Sequence, residues 1–217
     1  MRKDRGVSPK KTPFYIVKLW TILPVASILL APLNIWPQRA QPPNCVFGTL
    51  DAPIRLEVFS DFQCPACRTF YLDVIKPTKE EYGKGGKICV LYYELPLTSH
   101  QYSRKAASYS LAAQRIGRME WLAVMDRLYS TQPLWSEDGN IDSALEGAVS
   151  DEELARIRKI AEEPSIKDLI VEDIELAVKR EVKSTPTIFV AVGHNVQKVD
   201  QVMPYSIWKD YFDNILK

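Results

Sequence analysis

The chain has 217 residues, enough for one sizeable domain and an appendage. Hydrophobic residues make up 46% and charged residues 25%, which excludes a disordered or fibrous chain. A net charge of +1 provides no overall field to attract nucleic acid, and no glycine-rich phosphate loop or internal repeat is visible.

The N-terminus differs from the rest. "MRKDRGVSPKK" carries Arg2, Lys3, Arg5, Lys10 and Lys11, and an apolar run follows from Phe14 to Trp36. Lys18 lies near the start of that run and can snorkel toward headgroups; beyond it, Leu19 to Trp36 is uncharged. That approaches the roughly 20 residues that cross a bilayer. Basic residues ahead of the run place residues 1–13 in the cytosol and the bulk of the chain outside. The alternative is a cleaved signal peptide, but the candidate cleavage points are poor. A cut after Ala31 meets Pro32, one after Ala40 has Gln38 at the −3 position, and Val25-Ala26-Ser27 leaves an apolar stub. "WPQRAQPPN" then reads as a stiff Pro-rich link. Export to an oxidising compartment permits disulfides, and the four cysteines are an even number: Cys45, Cys64, Cys67 and Cys89.

"APIRLEVFS" (52–60) is short, apolar and rich in β-formers, so it predicts a buried strand. "CPACRTFYLDVIKPTKEEYG" predicts a helix from about Cys64, with Pro65 tolerated in its first turn and Pro77 kinking or ending it. Gly83, Gly85 and Gly86 supply a turn into a second strand over Lys87–Leu95. A strand–helix–strand unit of this length suggests a parallel crossover. From Ser99 the pattern is helical, with Gly117 separating or weakening two segments and a capping box at Ser150 and Glu153. A further helix over Ser165–Val182 precedes a strand–turn–strand hairpin across "TPTIFVAV", "GHN" and "VQKVDQV". An amphipathic helix closes the chain.

Two cysteines three apart can be a redox dithiol, half of a zinc site or an inert disulfide. Zinc needs two further ligands, and Cys45 and Cys89 come as singletons. Disulfide exchange needs a thiolate. A sulfur at a helix N-terminus sees unpaired backbone N–H groups and the positive end of the dipole. That assigns Cys64 as nucleophile and Cys67, one turn further in, as the resolving thiol. Cys89 lies in an apolar strand and reads as a buried thiol; a Cys45–Cys89 staple is the alternative. His100 and His194 read as cap-region and turn residues. Trp121, Tyr129 and Trp135 read as packing.

With "FSDFQCPAC" at the strand–helix junction, "STPTIF" at the start of the third core strand and a helical block between the two halves, the sequence resembles the DsbA-like branch of the thioredoxin superfamily. The resemblance covers about 47–217. It implies an α/β, thioredoxin-like fold with a helical insertion over about 98–182, preceded here by residues 1–13, one transmembrane helix (14–36) and a Pro-rich linker (37–46). It implies a cis Thr185-Pro186 bond facing the sulfurs, where the Thr185 backbone can pair with an extended substrate. It also implies a thiol-disulfide oxidoreductase that oxidises, reduces or isomerises disulfides in exported proteins, recycled by a membrane redox partner. No metal and no cofactor beyond the Cys64–Cys67 disulfide is implied. The alternatives are a non-catalytic redox-regulated module and a metal-handling dithiol.

The sequence departs from the pattern in two places. Relatives often carry a buried acid six residues before the nucleophile, where this chain has Val58; Glu57, one residue off, should face the other way by strand alternation. Asp61 can assist instead, although a loop carboxylate reads more simply as solvated. The dipeptide between the cysteines is Pro65-Ala66, which adds no imidazolium to hold the thiolate, so a milder oxidant is expected.

Overall fold

A computed structural model describes residues 44–217. The basic start, the apolar run and residues 37–43 of the link lie outside the described residues. Among those described, no helix is long and apolar enough to cross a membrane.

Five strands form one sheet: β1 (Cys45–Phe47), β2 (Ile54–Ser60), β3 (Ile88–Glu94), β4 (Thr187–Val192) and β5 (Asn195–Val199), in the spatial order β1-β3-β2-β4-β5. β2 is central, parallel to β3 and antiparallel to β4. Its nearly continuous apolar sequence suits a strand covered on both faces. Alternation sorts the side chains. Ile54, Leu56, Val58 and Tyr92 join the larger core on one face, while Phe59, Cys89, Leu91, Tyr93 and Phe189 pack on the other.

The crossover from β2 to β3 runs through α1 (Pro65–Phe70), a π-helical turn (Tyr71–Ile75) and α2 (Lys76–Tyr82). Pro77 does not end the helix. The wider π turn sits directly before it and relieves the clash of its ring with the preceding turn. Gly86, with φ of 62°, takes the left-handed conformation that lets the chain enter β3.

The insertion comprises α3 (Ser103–Ile116), α4 (Arg118–Ser130), α5 (Gln132–Asp138), α6 (Ile141–Leu145), α7 (Asp151–Ala161) and α8 (Pro164–Lys179). Gly117 does separate α3 from α4, through a single extended residue. Ser150 and Glu153 form both halves of the capping box at α7. Trp121, Tyr129 and Trp135 are all buried in the larger core. α8 returns over the second face of the sheet with Ala177, and packs on α3 through Ile166, Leu169 and Ile170 against Ala107 and Leu111. After the β4–β5 hairpin, α9 (Tyr205–Ile215) buries Trp208 and Phe212; Phe70 of α1 meets the Trp208 ring edge-on at 5.9 Å.

One reading of the sequence is overturned here. Cys89 is not a free buried thiol but is disulfide-bonded to Cys45. Their Cα atoms lie 5.4 Å apart across the β1–β3 pair, within the usual reach of a disulfide. β1 itself begins inside the segment read as linker.

Candidate active site

β2 ends at Ser60 and delivers the chain, through Asp61 and Phe62, to Cys64 at the N-cap of α1. Cys64 has extended backbone angles, Pro65 occupies the first helical turn, and no side chain caps the helix. The first-turn N–H groups are therefore left for the sulfur. Pro65 and Ala66 are exposed. Cys64 retains 8% exposure and Cys67 none, so the first sulfur is the accessible one.

The environments push the two thiols apart. Cys64 is lowered to about 5. The Cys67 thiol is the largest cause, and the Thr185 side chain and the N–H groups of Cys67 and Ala66 assist against the opposing effect of burial. Cys67 is pushed well up, first by burial and then by the neighbouring Cys64. A helix dipole is worth roughly 0.3–2 kcal/mol to an anion, on the order of one pKa unit. The sequence-based expectation counted that dipole and omitted the second thiol as a donor.

Thr185-Pro186 is cis, and the Thr185 carbonyl lies 3.4 Å from Cys64 Sγ, so the loop before β4 faces the dithiol. Val58 is buried in the core on the dithiol side, and Glu57 does face the other way. It pairs with Arg180 and, at 2.9 Å, with Arg55.

Asp61 is not a solvated loop carboxylate. Its side chain is fully buried. It accepts hydrogen bonds from the backbone N–H of Gln63 and of Leu97 (both 2.7 Å) and from Ser103 Oγ, and pairs with His100 Nδ1 at 2.8 Å. It therefore ties the loop before the dithiol to the start of the insertion. Only its backbone touches the dithiol: its N–H lies 3.4 Å from Cys67 Sγ, and its carbonyl accepts from the Cys64 N–H at 3.1 Å. His100 is thus a structural partner of Asp61, and His194 sits in the β4–β5 turn.

Three further contributors were not foreseen. Gln132 at the start of α5 donates to the carbonyls of Phe62 (2.6 Å) and Cys64 (3.0 Å) from a buried position. Gln63 accepts from Tyr102 N at 2.5 Å and donates to Ser136 O at 3.2 Å. Tyr129 of α4 reaches Ser60 Oγ at 2.8 Å in a buried pair. These contacts span 39 to 73 residues of sequence, so no local pattern announces them. The geometry suits one chemistry: an accessible sulfur held as an anion, a shielded partner sulfur beside it, and a backbone carbonyl facing the pair.

A family model described as Thioredoxin matches residues 40–212. The chain is 26% identical over 147 residues to a "Probable disulfide bond formation protein D" of Bacillus cereus, covering 66% of this chain and 68% of that one. Among solved structures, α-DsbA1 of Wolbachia pipientis superposes with a TM-score of 0.65 at 20% identity, over 81% of this chain and 92% of that one. Oxidised BdbD of Bacillus subtilis superposes with a TM-score of 0.64 at 19% identity, over 78% and 91%. The family model spans most of the chain, and the chain therefore belongs to the thioredoxin family.

Proposed function

We propose that the chain is a thiol-disulfide oxidoreductase that introduces disulfides into exported proteins, using Cys64 and Cys67 as its redox pair. The observation that carries this reading is the opposed acidity of the two sulfurs. A Cys64 thiol lowered to about 5 stabilises the reduced dithiol, and a stabilised reduced form is what makes such a pair an oxidant. The relatives named for disulfide bond formation support the same direction.

In the reaction, a substrate thiolate attacks Cys64 Sγ of the Cys64–Cys67 disulfide. The S–S bond breaks and its electron pair leaves on Cys67 Sγ, giving a mixed disulfide between substrate and Cys64. A second substrate thiolate attacks the substrate sulfur of that bond and expels Cys64 as thiolate. The substrate has lost two electrons, and the protein now holds a dithiol that a membrane redox partner reoxidises. The Thr185 backbone, whose carbonyl faces Cys64 Sγ at 3.4 Å, is where an extended substrate segment pairs. Asp61 does not take part as a base, since its carboxylate is committed to Leu97, Gln63, His100 and Ser103.

The domain works outside the cytosol, anchored by residues 14–36; the basic start, the apolar run and the poor cleavage sites support this. One assay tests chemistry and location together. Carbonate-washed membranes from cells making the full chain should oxidise a reduced, unfolded protein, and membranes carrying Cys64→Ala should not. Activity found only in the soluble exported fraction would discard the anchor. Absence of activity in every fraction would discard the chemistry.

A further inference from the structure

Opening the Cys64–Cys67 disulfide leaves an anion on Cys67, a sulfur with no exposure to water. The carboxylates of the loop and of β2 do not serve it: Glu57 lies on the opposite face with Arg55 and Arg180, and Asp61 offers only its backbone N–H. The Asp61 N–H lies 3.4 Å from the Cys67 sulfur, and the hydroxyl of Ser60, one residue earlier, favours the Cys67 anion. Ser60 is the last residue of β2, and its Oγ is 2.8 Å from Tyr129 Oη in a fully buried pair. Tyr92, opposite Val58 in the sheet register, points into the same core, and its hydroxyl is buried without a hydrogen-bond partner.

We infer that the Ser60 hydroxyl, held in place by Tyr129, is the hydrogen-bond donor that receives the Cys67 thiolate as it leaves. In this inference Ser60 meets the leaving sulfur; Tyr129 acts through Ser60 and is a positioning residue. If Ser60 donates to sulfur, its oxygen must accept, and Tyr129 Oη is the donor within reach. Burial keeps both Tyr129 and Tyr92 protonated well beyond the ordinary phenol range, so both remain donors at any physiological pH. A chain of hydroxyls ending on an anion strengthens each bond along it. The Asp61 N–H, at 3.4 Å, is a second donor to the same sulfur. Ser60 and that N–H both favour the Cys67 anion, against burial and the neighbouring Cys64. The helical insertion thereby contributes to the reaction through Tyr129.

This inference rests on the oxidoreductase reading, but its test separates the two. In the full-length oxidised protein, reduced glutathione attacks Cys64 and Cys67 leaves. Loss of a hydrogen bond to a charged group is worth roughly a tenfold change or more. Ser60→Ala should therefore slow disulfide opening roughly tenfold, Tyr129→Phe should slow it less, and Ser60→Thr, which restores a hydroxyl, should recover most of the rate. The pH profile of Cys64 alkylation, measured in a Cys67→Ala background, should not move with any of them. Opening rates within twofold of wild type for both Ser60→Ala and Tyr129→Phe would overturn the inference. So would a loss of rate that Ser60→Thr fails to recover while that variant melts like the wild type. A wild-type protein that glutathione opens readily but that oxidises no protein substrate would end the functional reading and leave this one standing.

Discussion

At Cys64 the decisive neighbour is the other cysteine. The N-terminus of α1 contributes backbone donors, but the Cys67 thiol is the largest single cause of the lowered pKa. Iodoacetamide should therefore react with Cys64 at a rate that rises through about pH 5 and levels off before neutrality. In Cys67→Ala that rise should move to higher pH, because the main donor is gone. The sign for stability follows from the same shift. The group is depressed on folding, so its contribution to the reduced protein is lost as pH falls through about 5 and is fully present only above the unfolded value of 9.0. Across that window the reduced protein should gain thermal stability over the oxidised one as pH rises, until the opposing burden of Cys67 appears in more alkaline solution. If the alkylation midpoint of Cys67→Ala coincides with that of wild type, the thiol-to-thiol hydrogen bond is not the cause.

Among the elements, the junction of β2, α1 and the start of the insertion depends on Asp61. Four groups converge on one buried carboxylate: two backbone N–H groups, a serine hydroxyl and an imidazole. Asp61→Ala would leave these half-buried to buried groups unpaired, each worth on the order of 1–3 kcal/mol when orphaned. Denaturant unfolding should show a loss of at least about 3 kcal/mol, and Asp61→Asn, which keeps the shape and loses the charge, should lose less. A loss below about 1 kcal/mol for Asp61→Ala would contradict this role. Sequence pattern reveals such junctions poorly. The strands β2 to β4, the crossover helix, the capping box at Ser150 and the closing helix were all visible, because each carries its own periodicity or end signal. The opposite orientations of Glu57 and Val58 were readable too, since strand alternation is a local rule. Asp61 was misjudged, because its partners Leu97, His100 and Ser103 come from a turn and a helix start that no pattern links to it. Gln132 and Tyr129 looked like ordinary helix residues for the same reason. β1 has only three residues and lies beyond a Pro-rich stretch, too short for alternation to register.

At the scale of the molecule, the two cysteine pairs occupy opposite sides of one sheet. Cys64 and Cys67 belong to the larger core beneath α1, and Cys45 and Cys89 to the smaller core that α8 covers. The separation keeps the proposed redox pair apart from the pair that holds the edge. β1 is a three-residue strand with an irregular register against β3, so its backbone pairing alone secures the N-terminal edge weakly. The Cys45–Cys89 bond closes a loop across a sequence separation of 44 that includes β2, the dithiol and the whole crossover helix. In the chain-entropy account, a loop of that size stabilises the fold by about 4 kcal/mol. The double variant Cys45→Ser/Cys89→Ser should lose roughly that amount in denaturant unfolding, with both serines left in an apolar setting that adds to the loss. Because the sheet lies between the pairs, the pH profile of Cys64 alkylation should be unchanged in the same protein wherever it remains folded. A variant that keeps its stability would show that β1 is held by packing alone. A variant whose Cys64 profile shifts would show that the two faces of the sheet are coupled, and that the edge disulfide also tunes the dithiol.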